Sequence, residues 1–195
     1  MNNRIKLILI AIPSLLASGY LTMVWYTMQE SMEMPILAIT TNGDPWFPRS
    51  LAKAYLFASD YDPNAVTEYG QPALSFILAG YGSEGTHNEE ILQLSQQFID
   101  KGADVNRPHN GLTPLQEAVL ANEPVLVEHL LKNKADPNIR SKIPGKKLDN
   151  LTALEFAEYF ESLKKDDFSR VLELLKKQHV QALVPPVPGV ATGIR

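Results

Sequence analysis

Four histidines are the side chains of this sequence best suited to bind a metal or to move a proton, and their spacing favours neither role. No two of them are four residues apart, and the sequence contains no His-Glu-x-x-His. The group from His87 to Glu90 could in principle hold a metal, but a solvated loop that caps a helix starting near Asn88 is the simpler interpretation. We therefore predict no metal and no cofactor. The four are His87, His109, His129 and His179.

Candidate nucleophiles also lack the sequence context that activates them. The chain has no cysteine, and neither Ser75 nor Ser95 stands in a Gly-x-Ser-x-Gly turn. Its neighbouring acids, such as Asp166 and Asp167, are typical of a solvated surface. Three glycines at 80, 82 and 85 are too scattered to form a phosphate-binding loop. We predict that the protein is not an enzyme. A hydrolase would require a convergent Ser/His/Asp or metal set in one pocket.

The overall charge argues against nucleic acid as a partner. The 195 residues carry a net charge of −4, whereas a nucleic-acid-binding surface is basic. With 45% apolar and 21% charged residues, the composition is that of one globular domain plus an appendage.

The appendage is an uncharged N-terminal run from Leu7 to Met28. As a helix it would be about 33 Å long, enough to span a bilayer. Arg4 and Lys6 precede it and acidic residues follow it, so the positive-inside rule places the N-terminus in the cytoplasm. A signal peptide cleaved near Ala17 and a buried soluble helix are the alternatives. We predict an inner-membrane signal anchor over residues 1–29, with the rest of the chain in the periplasm.

The body of the chain carries an internal repeat. An Asp-x-Asn triplet recurs at Asp62, Asp104 and Asp136, each time shortly after an apolar pair. A turn residue and a helix start follow each triplet. The turn residues are Gly70, Gly111 and Asn150, all of which accept positive φ.

The helix starts are strongest in the last two copies. Thr113 and Thr152 are good N-caps, and Pro114 suits the first helical position. The helices that follow are short and cannot bury their apolar faces singly, whereas stacked helix pairs can.

Residues Gly111 to Asn138, GLTPLQEAVLANEPVLVEHLLKNKADPN, resemble an ankyrin repeat, with Gln116 in place of the usual His. The resemblance extends over residues 48–182 as half a cap and three repeats, with extra residues near 81–90, 139–149 and 164–168. It implies an all-α fold, an ankyrin-repeat solenoid of helix pairs with short β-hairpin connections, here preceded by one transmembrane helix. Residues 30–47 are expected to be a linker in which Trp46 and Phe47 cover the first repeat, and 183–195 a Pro-rich tail.

Ankyrin domains bind proteins through hairpin tips and inner helices, so the resemblance also implies a set of contact positions. Tyr159 and Phe160 have a competing interpretation, which is packing under the C-terminal extension. The two inserted loops, 81–90 and 139–149, either carry function or are neutral insertions. Carried over position by position, the partner-binding residues are Tyr69, Gln71, His109, Asn110, Leu112, Arg140, Leu148, Asp149, Tyr159 and Phe160.

The layout of an anchor and an ankyrin domain is similar to that of bacterial immunity proteins, which neutralise secreted, type VI-like effector enzymes by occlusion. We therefore expect one specific protein partner, held at the periplasmic face of the inner membrane. The alternatives are an accessory factor that stabilises or activates a periplasmic enzyme such as a catalase, and a cytosolic ankyrin adaptor. These expectations rest on family association, because no residue distinguishes inhibition from assistance.

Overall fold

The computed structural model describes residues 17–24, 26, 33–41 and 48–183, and their side chains as far as residue 178. Within this part of the chain, every regular element is a helix. No strand occurs among these residues, and the hairpins are represented by isolated antiparallel bridges such as Val66–Pro72 and His109–Leu112. The all-α prediction is confirmed. After helical residues at 17–24 and 26, the helices are α1 (Glu33–Thr40), α2 (Arg49–Ala58), α3 (Ala73–Ala79), α4 (Asn88–Asp100), α5 (Pro114–Leu120), α6 (Pro124–Lys132), α7 (Ala153–Ser162) and α8 (Ser169–Leu183).

The chain folds as two compact units, Met1–Ala103 and Asp104–Arg195. In the first unit, α3 and α4 pack as a pair, and α1 packs against α2, α3 and α4. The core of this unit is apolar and fully covered, since its central side chains are at most 1% exposed. They are Ile36, Leu56, Ile77, Ile91 and Phe98.

Helix α1 corrects the expectation of a linker over residues 30–47. The sequence EMPILAIT is apolar on all sides and eight residues long, so it shows no helical periodicity. Ile36 and Ile39 are nevertheless buried in the core. The predicted half cap is therefore a complete helix pair, α1 and α2, because burial against three neighbours stabilises a helix that is too short to persist in isolation.

The inserted loop before α4 holds the end of α1. The backbone N–H of His87 donates to the Thr40 carbonyl at 2.8 Å, and Thr86 bridges to Thr41. From α2, Arg49 Nη2 donates to the Thr41 carbonyl at 3.1 Å. The extra residues at 81–90 thus provide a hydrogen-bond donor for the C-terminal end of α1, where the last carbonyls have no partner within the helix.

We expect Ile36→Val to destabilise the first unit by about 1 kcal/mol, because it removes a buried methylene from a well-packed core. Leu37→Val on the same helix, at a side chain that is 41% exposed, should change the stability by less than about 0.5 kcal/mol. Hydrogen exchange of the α1 and α4 amides in the full chain measures both. Equal effects of the two substitutions would mean that α1 does not belong to the core.

Most of the predicted membrane segment, 7–28, lies outside the described residues; 17–24 and 26 are described and helical. Among the residues that the structure describes, no helix has both the length and the apolar character needed to cross a membrane. Trp46, Phe47 and all but the first residue of the predicted tail also lie outside the described residues.

The second unit consists of two helix pairs stacked on each other. Helices α5 and α6 form one pair, α7 and α8 the other; α5 packs on α7, and α6 packs on α8. The prediction of stacked helix pairs is confirmed within this unit. Its fully buried side chains are Leu115, Val119, Val127, Leu130, Phe156, Val171 and Leu175.

Local signals define where these helices begin. Thr113 and Thr152 each form a capping box, in which the threonine side chain accepts the N–H of the third helical residue and that residue's side chain accepts the threonine N–H. Helix α5 begins at Pro114, as predicted. The repeated Asp-x-Asn triplets are Asx turns, in which Oδ1 of Asp62, Asp104 or Asp136 accepts the N–H two residues later at 2.8–2.9 Å.

Candidate functional site

The hairpin before α5 presents two of the predicted contact residues at its tip. His109 and Leu112 exchange both backbone hydrogen bonds, at 2.9 and 3.0 Å. Asn110 and Gly111 make the turn with φ of 49° and 82°, so the exposed Asn110 side chain stands at the tip. His109 lies beside Glu117, with Nδ1 3.7 Å from Oε1. The turn geometry therefore presents His109 and Asn110 from a rigid support.

The next hairpin lies directly against this tip. The Lys142 N–H donates to the Gly111 carbonyl at 2.8 Å. The approach is so close that a Cβ on Gly111 would lie 2.0 Å from the Lys142 carbonyl oxygen. Because the two hairpins share this backbone contact, His109, Asn110, Leu112 and the loop at 139–149 form one surface, which we call the paired tip.

The loop at 139–149 is held in shape by internal hydrogen bonds. Buried Ser141 donates its hydroxyl to the Leu148 carbonyl and accepts the Leu151 N–H at 3.1 Å. Asp149 Oδ1 accepts the Ile143 N–H at 2.9 Å. Of the predicted contact residues, Leu148 thus contributes its carbonyl, and Asp149 its carboxylate, to holding the loop.

Arg140 stabilises the base of the same loop. Its Nη1 donates to the Asn150 carbonyl at 2.5 Å and to Glu155 Oε2 at 3.1 Å. Half of the side chain remains exposed. Arg140 therefore ties the loop to the start of α7 while keeping one edge of the guanidinium at the surface.

Gln116 connects the two repeats from inside. Its side chain is buried, and Nε2 donates to the carbonyls of Ile139 and Leu151 at 2.9 and 3.0 Å. Its Oε1 accepts the Thr113 N–H at 2.9 Å. The Gln116 amide thus binds both the start of α5 and the two sides of the following hairpin. These hydrogen bonds hold the paired tip in position.

Glu155 occupies the same position in α7. Its pKa is lowered chiefly because the carboxylate accepts the Thr152 backbone N–H at 2.7 Å; burial opposes this, and the Thr152 hydroxyl and Arg140 lower the pKa further. A carboxylate accepts hydrogen bonds and cannot donate them, so Glu155 does not reproduce the link that Gln116 makes to neighbouring carbonyls.

The lowered pKa gives a pH-dependent contribution to stability. The contribution is complete above the ordinary glutamate value of 4.5 and is lost as the pH falls through the lower folded-state value. Glu155→Gln should cost less than about 1 kcal/mol at pH 7, since the side chain is 40% exposed and screened by solvent. Unfolding measured near pH 7 and near pH 3 should show a smaller difference between the variant and the parent chain at the lower pH. A difference of equal size at both values would contradict this account.

Two predicted residues lie in the first unit, on the hairpin before α3. Tyr69 is 86% exposed beside Gly70, whose φ is 76°. The Gln71 backbone closes the turn: its carbonyl accepts the Thr67 N–H at 2.8 Å and its N–H donates to Thr67 Oγ1 at 3.1 Å. Tyr69 is thus presented to solvent by a formed hairpin.

The last two predicted residues lie at the far end of α7. Phe160 stacks on the buried Phe168 with ring centroids 5.4 Å apart, and Tyr159 meets Phe160 edge-on at 5.5 Å. Phe168 ends the extra segment between α7 and α8, so Phe160 packs on that segment. The structure therefore places these rings about two helical turns from the hairpin end of α7 rather than at the paired tip.

Two of the surface cavities in the described part of the chain are bordered by charged side chains. One of about 380 Å³ lies in the first unit and is bordered by the Lys53–Glu90 ion pair, 2.6 Å long, and by exposed Phe57. The other, of about 260 Å³, lies beside Arg140 and Glu155 in the second unit. Neither is lined by histidine or serine, and the described residues contain no cluster of metal-binding side chains.

Three exposed lysines of the paired tip were missed by position-by-position transfer from the repeat pattern, because they lie in extra residues that the pattern lacks. The available signal was compositional, since basic residues are concentrated in a short stretch of an acidic chain. These residues are Lys142, Lys146 and Lys147.

Comparison with known families agrees with this geometry. Residues 110–142 match the ankyrin repeat family, a range that runs from Asn110 at the first hairpin tip to Lys142 in the second. No curated protein matches the chain. Ankyrin repeats are protein–protein interaction modules, so the match supports a protein-binding role in general.

Proposed function

We propose that this chain is a membrane-anchored periplasmic protein-binding module that acts as an immunity protein, neutralising a secreted effector enzyme by covering its active site. The observation that carries the proposal is the paired tip. Two hairpins of the matched ankyrin repeat and its successor share a backbone contact, which presents His109, Asn110 and Leu112 beside a built loop.

Occlusion requires a binding surface that does not reorganise. The Lys142–Gly111 hydrogen bond and the buried Gln116 amide hold both hairpins in place before a partner arrives. A pre-ordered surface loses little conformational entropy on association, which favours tight binding. The anchor predicted over residues 1–29 would add to this by confining the module to the membrane where an incoming effector must pass, which raises its effective concentration.

Site-specific photo-cross-linking in living cells tests the proposal. A photoreactive side chain is placed at His109 on the paired tip, and in a matched control at Lys132, an exposed position on the outer helix α6. The expected result is one dominant adduct with a secreted enzyme, formed from position 109 and not from position 132. Equal adducts from both positions, or none from position 109, would contradict the assignment of this surface.

The proposed location has its own readout. Addition of protease to cells with a permeabilised outer membrane should remove the body of the chain and spare an N-terminal fragment. Full protection of the body until the inner membrane is lysed would place the module in the cytosol and support the adaptor alternative.

A further inference from the structure

Positive charge is concentrated at the paired tip of an otherwise acidic protein. Between Ile139 and Asp149 the sequence carries four basic residues and one acidic residue, whereas the whole chain has a net charge of −4. The inserted loop is therefore a local basic site in a chain whose remaining residues are acidic overall.

The charges of this loop divide into two groups with different surroundings. Arg140 and Asp149 are engaged within the fold, by Glu155 and by the Ile143 N–H. Lys142, Lys146 and Lys147 are exposed, and none of the ion pairs found among the described residues includes them. Arg140 is thus paired with Glu155, Asp149 keeps its charge while it holds the loop, and three ammonium groups lie at the loop surface.

Backbone hydrogen bonds fix the spacing of the three lysines. The Lys146 N–H donates to the Ile143 carbonyl at 3.1 Å, and the Asp149 N–H donates to the Lys146 carbonyl at 3.1 Å. Gly145 completes the first turn with φ of 78°. Lys142 is held against the neighbouring hairpin by its hydrogen bond to Gly111. The lysines therefore extend from a pre-ordered backbone and not from a freely moving chain.

We infer that the three lysines are the recognition element for a carboxylate-rich patch on a protein partner. This deepens the proposed function, on which it rests, by specifying the chemistry of the partner's surface. Complementary charge accelerates encounter and selects against wrong partners. A phosphate backbone fits less well, because the loop has no aromatic side chain for base stacking and the acidic remainder of the chain repels a long polyanion.

Residues on the hairpin beside the lysines would contact the less charged part of the partner's surface. His109, Asn110 and Leu112 lie on the adjoining hairpin, which contacts the lysine loop through the backbone. They provide hydrogen-bonding and apolar contacts beside the ammonium groups. The combination suits a protein surface with acidic residues around a less polar centre.

Defined probes test the inference on the full chain in mild, uncharged detergent. The probes are a deca-glutamate peptide, a deca-glutamine peptide of equal length, and a single-stranded oligothymidylate of matched charge. Binding is measured at about 50 and about 200 mM salt, because a charge-driven contact weakens as screening grows.

Two matched triple variants identify the site. Lys142→Gln, Lys146→Gln and Lys147→Gln together remove the proposed element. Lys164→Gln, Lys165→Gln and Lys176→Gln remove three exposed lysines elsewhere in the same unit and lower the net charge equally. We expect the first variant to bind deca-glutamate about tenfold more weakly and the second to bind like the parent chain.

A further pair of variants separates ordered geometry from simple charge. Asp149→Ala removes both a negative charge and the acceptor for the Ile143 N–H, while Asp149→Asn removes the charge and keeps an acceptor oxygen. We expect Asp149→Ala to bind deca-glutamate about threefold more weakly than Asp149→Asn. Equal binding would overturn the claim that the ordered loop matters.

The binding of deca-glutamate by the two triple variants decides whether the lysines form the recognition element. Loss of deca-glutamate binding in the first triple variant, with no such loss in the second, supports the inference. Equal losses in both variants, no binding of deca-glutamate, or stronger binding of the oligonucleotide overturns it. The His109 cross-link is read independently: an adduct without deca-glutamate binding leaves the proposed function intact and refutes only the acidic-patch partner.

Discussion

Gly111→Ala is expected to destabilise the second unit by about 3–5 kcal/mol. Gly111 has a φ of 82°, where an alanine costs roughly 1–2 kcal/mol. Its added Cβ would lie 2.0 Å from the Lys142 carbonyl oxygen and 2.7 Å from the carbonyl carbon. Both are backbone atoms, so the two hairpins must separate, and the Lys142–Gly111 hydrogen bond is lost with them. Overpacking of this kind costs a further 1–3 kcal/mol or so.

Gly145→Ala is the matched control. Gly145 has nearly the same φ, 78°, but no atom lies within 4 Å of its added Cβ. It should therefore cost about 1–2 kcal/mol, the conformational part of the effect. Hydrogen exchange of the α5 and α7 amides in the full chain gives both free energies. If the two substitutions cost the same, the close contact between the hairpins is not a feature of the folded protein.

Gln116→Leu is expected to cost about 2–5 kcal/mol, because it keeps the buried volume but removes the hydrogen bonds that link the repeats. The Thr113 N–H and the Ile139 carbonyl lose this partner, whereas the Leu151 carbonyl still accepts from Ser141. Each buried polar group left without a partner costs about 1–3 kcal/mol. The loss is a large share of the 5–15 kcal/mol or so that stabilises a typical domain.

Two controls accompany Gln116→Leu. Gln93→Leu, at an exposed position whose amide contacts only a nearby carboxylate on α4, should change stability by less than about 0.5 kcal/mol. Gln116→His keeps one acceptor and one donor, as in the usual ankyrin repeat, and should retain most of the stability. Hydrogen exchange protection of α5 and α7 is the readout for position 116, and protection of α4 is the readout for position 93. A histidine variant as unstable as the leucine variant would show that volume, and not the hydrogen bonds, determines the stability here.

The local features of the second unit were predictable because their causes lie within a few residues. Thr113 and Thr152 cap helices through hydrogen bonds to the third residue after them. Gly70, Gly111 and Asn150 adopt positive φ as predicted, with values of 76°, 82° and 57°. These preferences belong to the residue types and their immediate neighbours, so sequence patterns contain them.

Other features depend on residues far apart in the chain and could not be inferred in this way. Helix α1 forms because α2, α3 and α4 cover it, and its own sequence has no helical periodicity. The carbonyls that Gln116 binds come from residues 23 and 35 positions later. No local pattern encodes such a pairing. The residue type at position 116 indicated a departure from the usual repeat but not which groups it would link.

The candidate site also combines features that the sequence predicts locally with features that depend on distant residues. His109, Asn110 and Leu112 lie on a hairpin, as the repeat pattern implies for the residues before the first helix of a pair. Asp149 was selected by position, yet its carboxylate holds the inserted loop, which the pattern does not contain. Phe160 was selected in the same way, and only the structure shows its stacking on Phe168. Position-by-position transfer thus rests on a hairpin that the repeat pattern implies, but it contains nothing about the insertions, and the partner contacts themselves stay a prediction.

The central claim, inhibition by occlusion, is tested most directly by titrating the enzyme cross-linked at position 109 with the purified full chain while its activity is measured. If the chain inhibits by occlusion, activity falls in proportion to added protein and reaches its minimum at a fixed stoichiometry. His109→Ala should weaken inhibition at least tenfold, and the exposed outer-helix control Val125→Ala should not. Activity that stays unchanged, or rises as an accessory factor would make it rise, would contradict the immunity role.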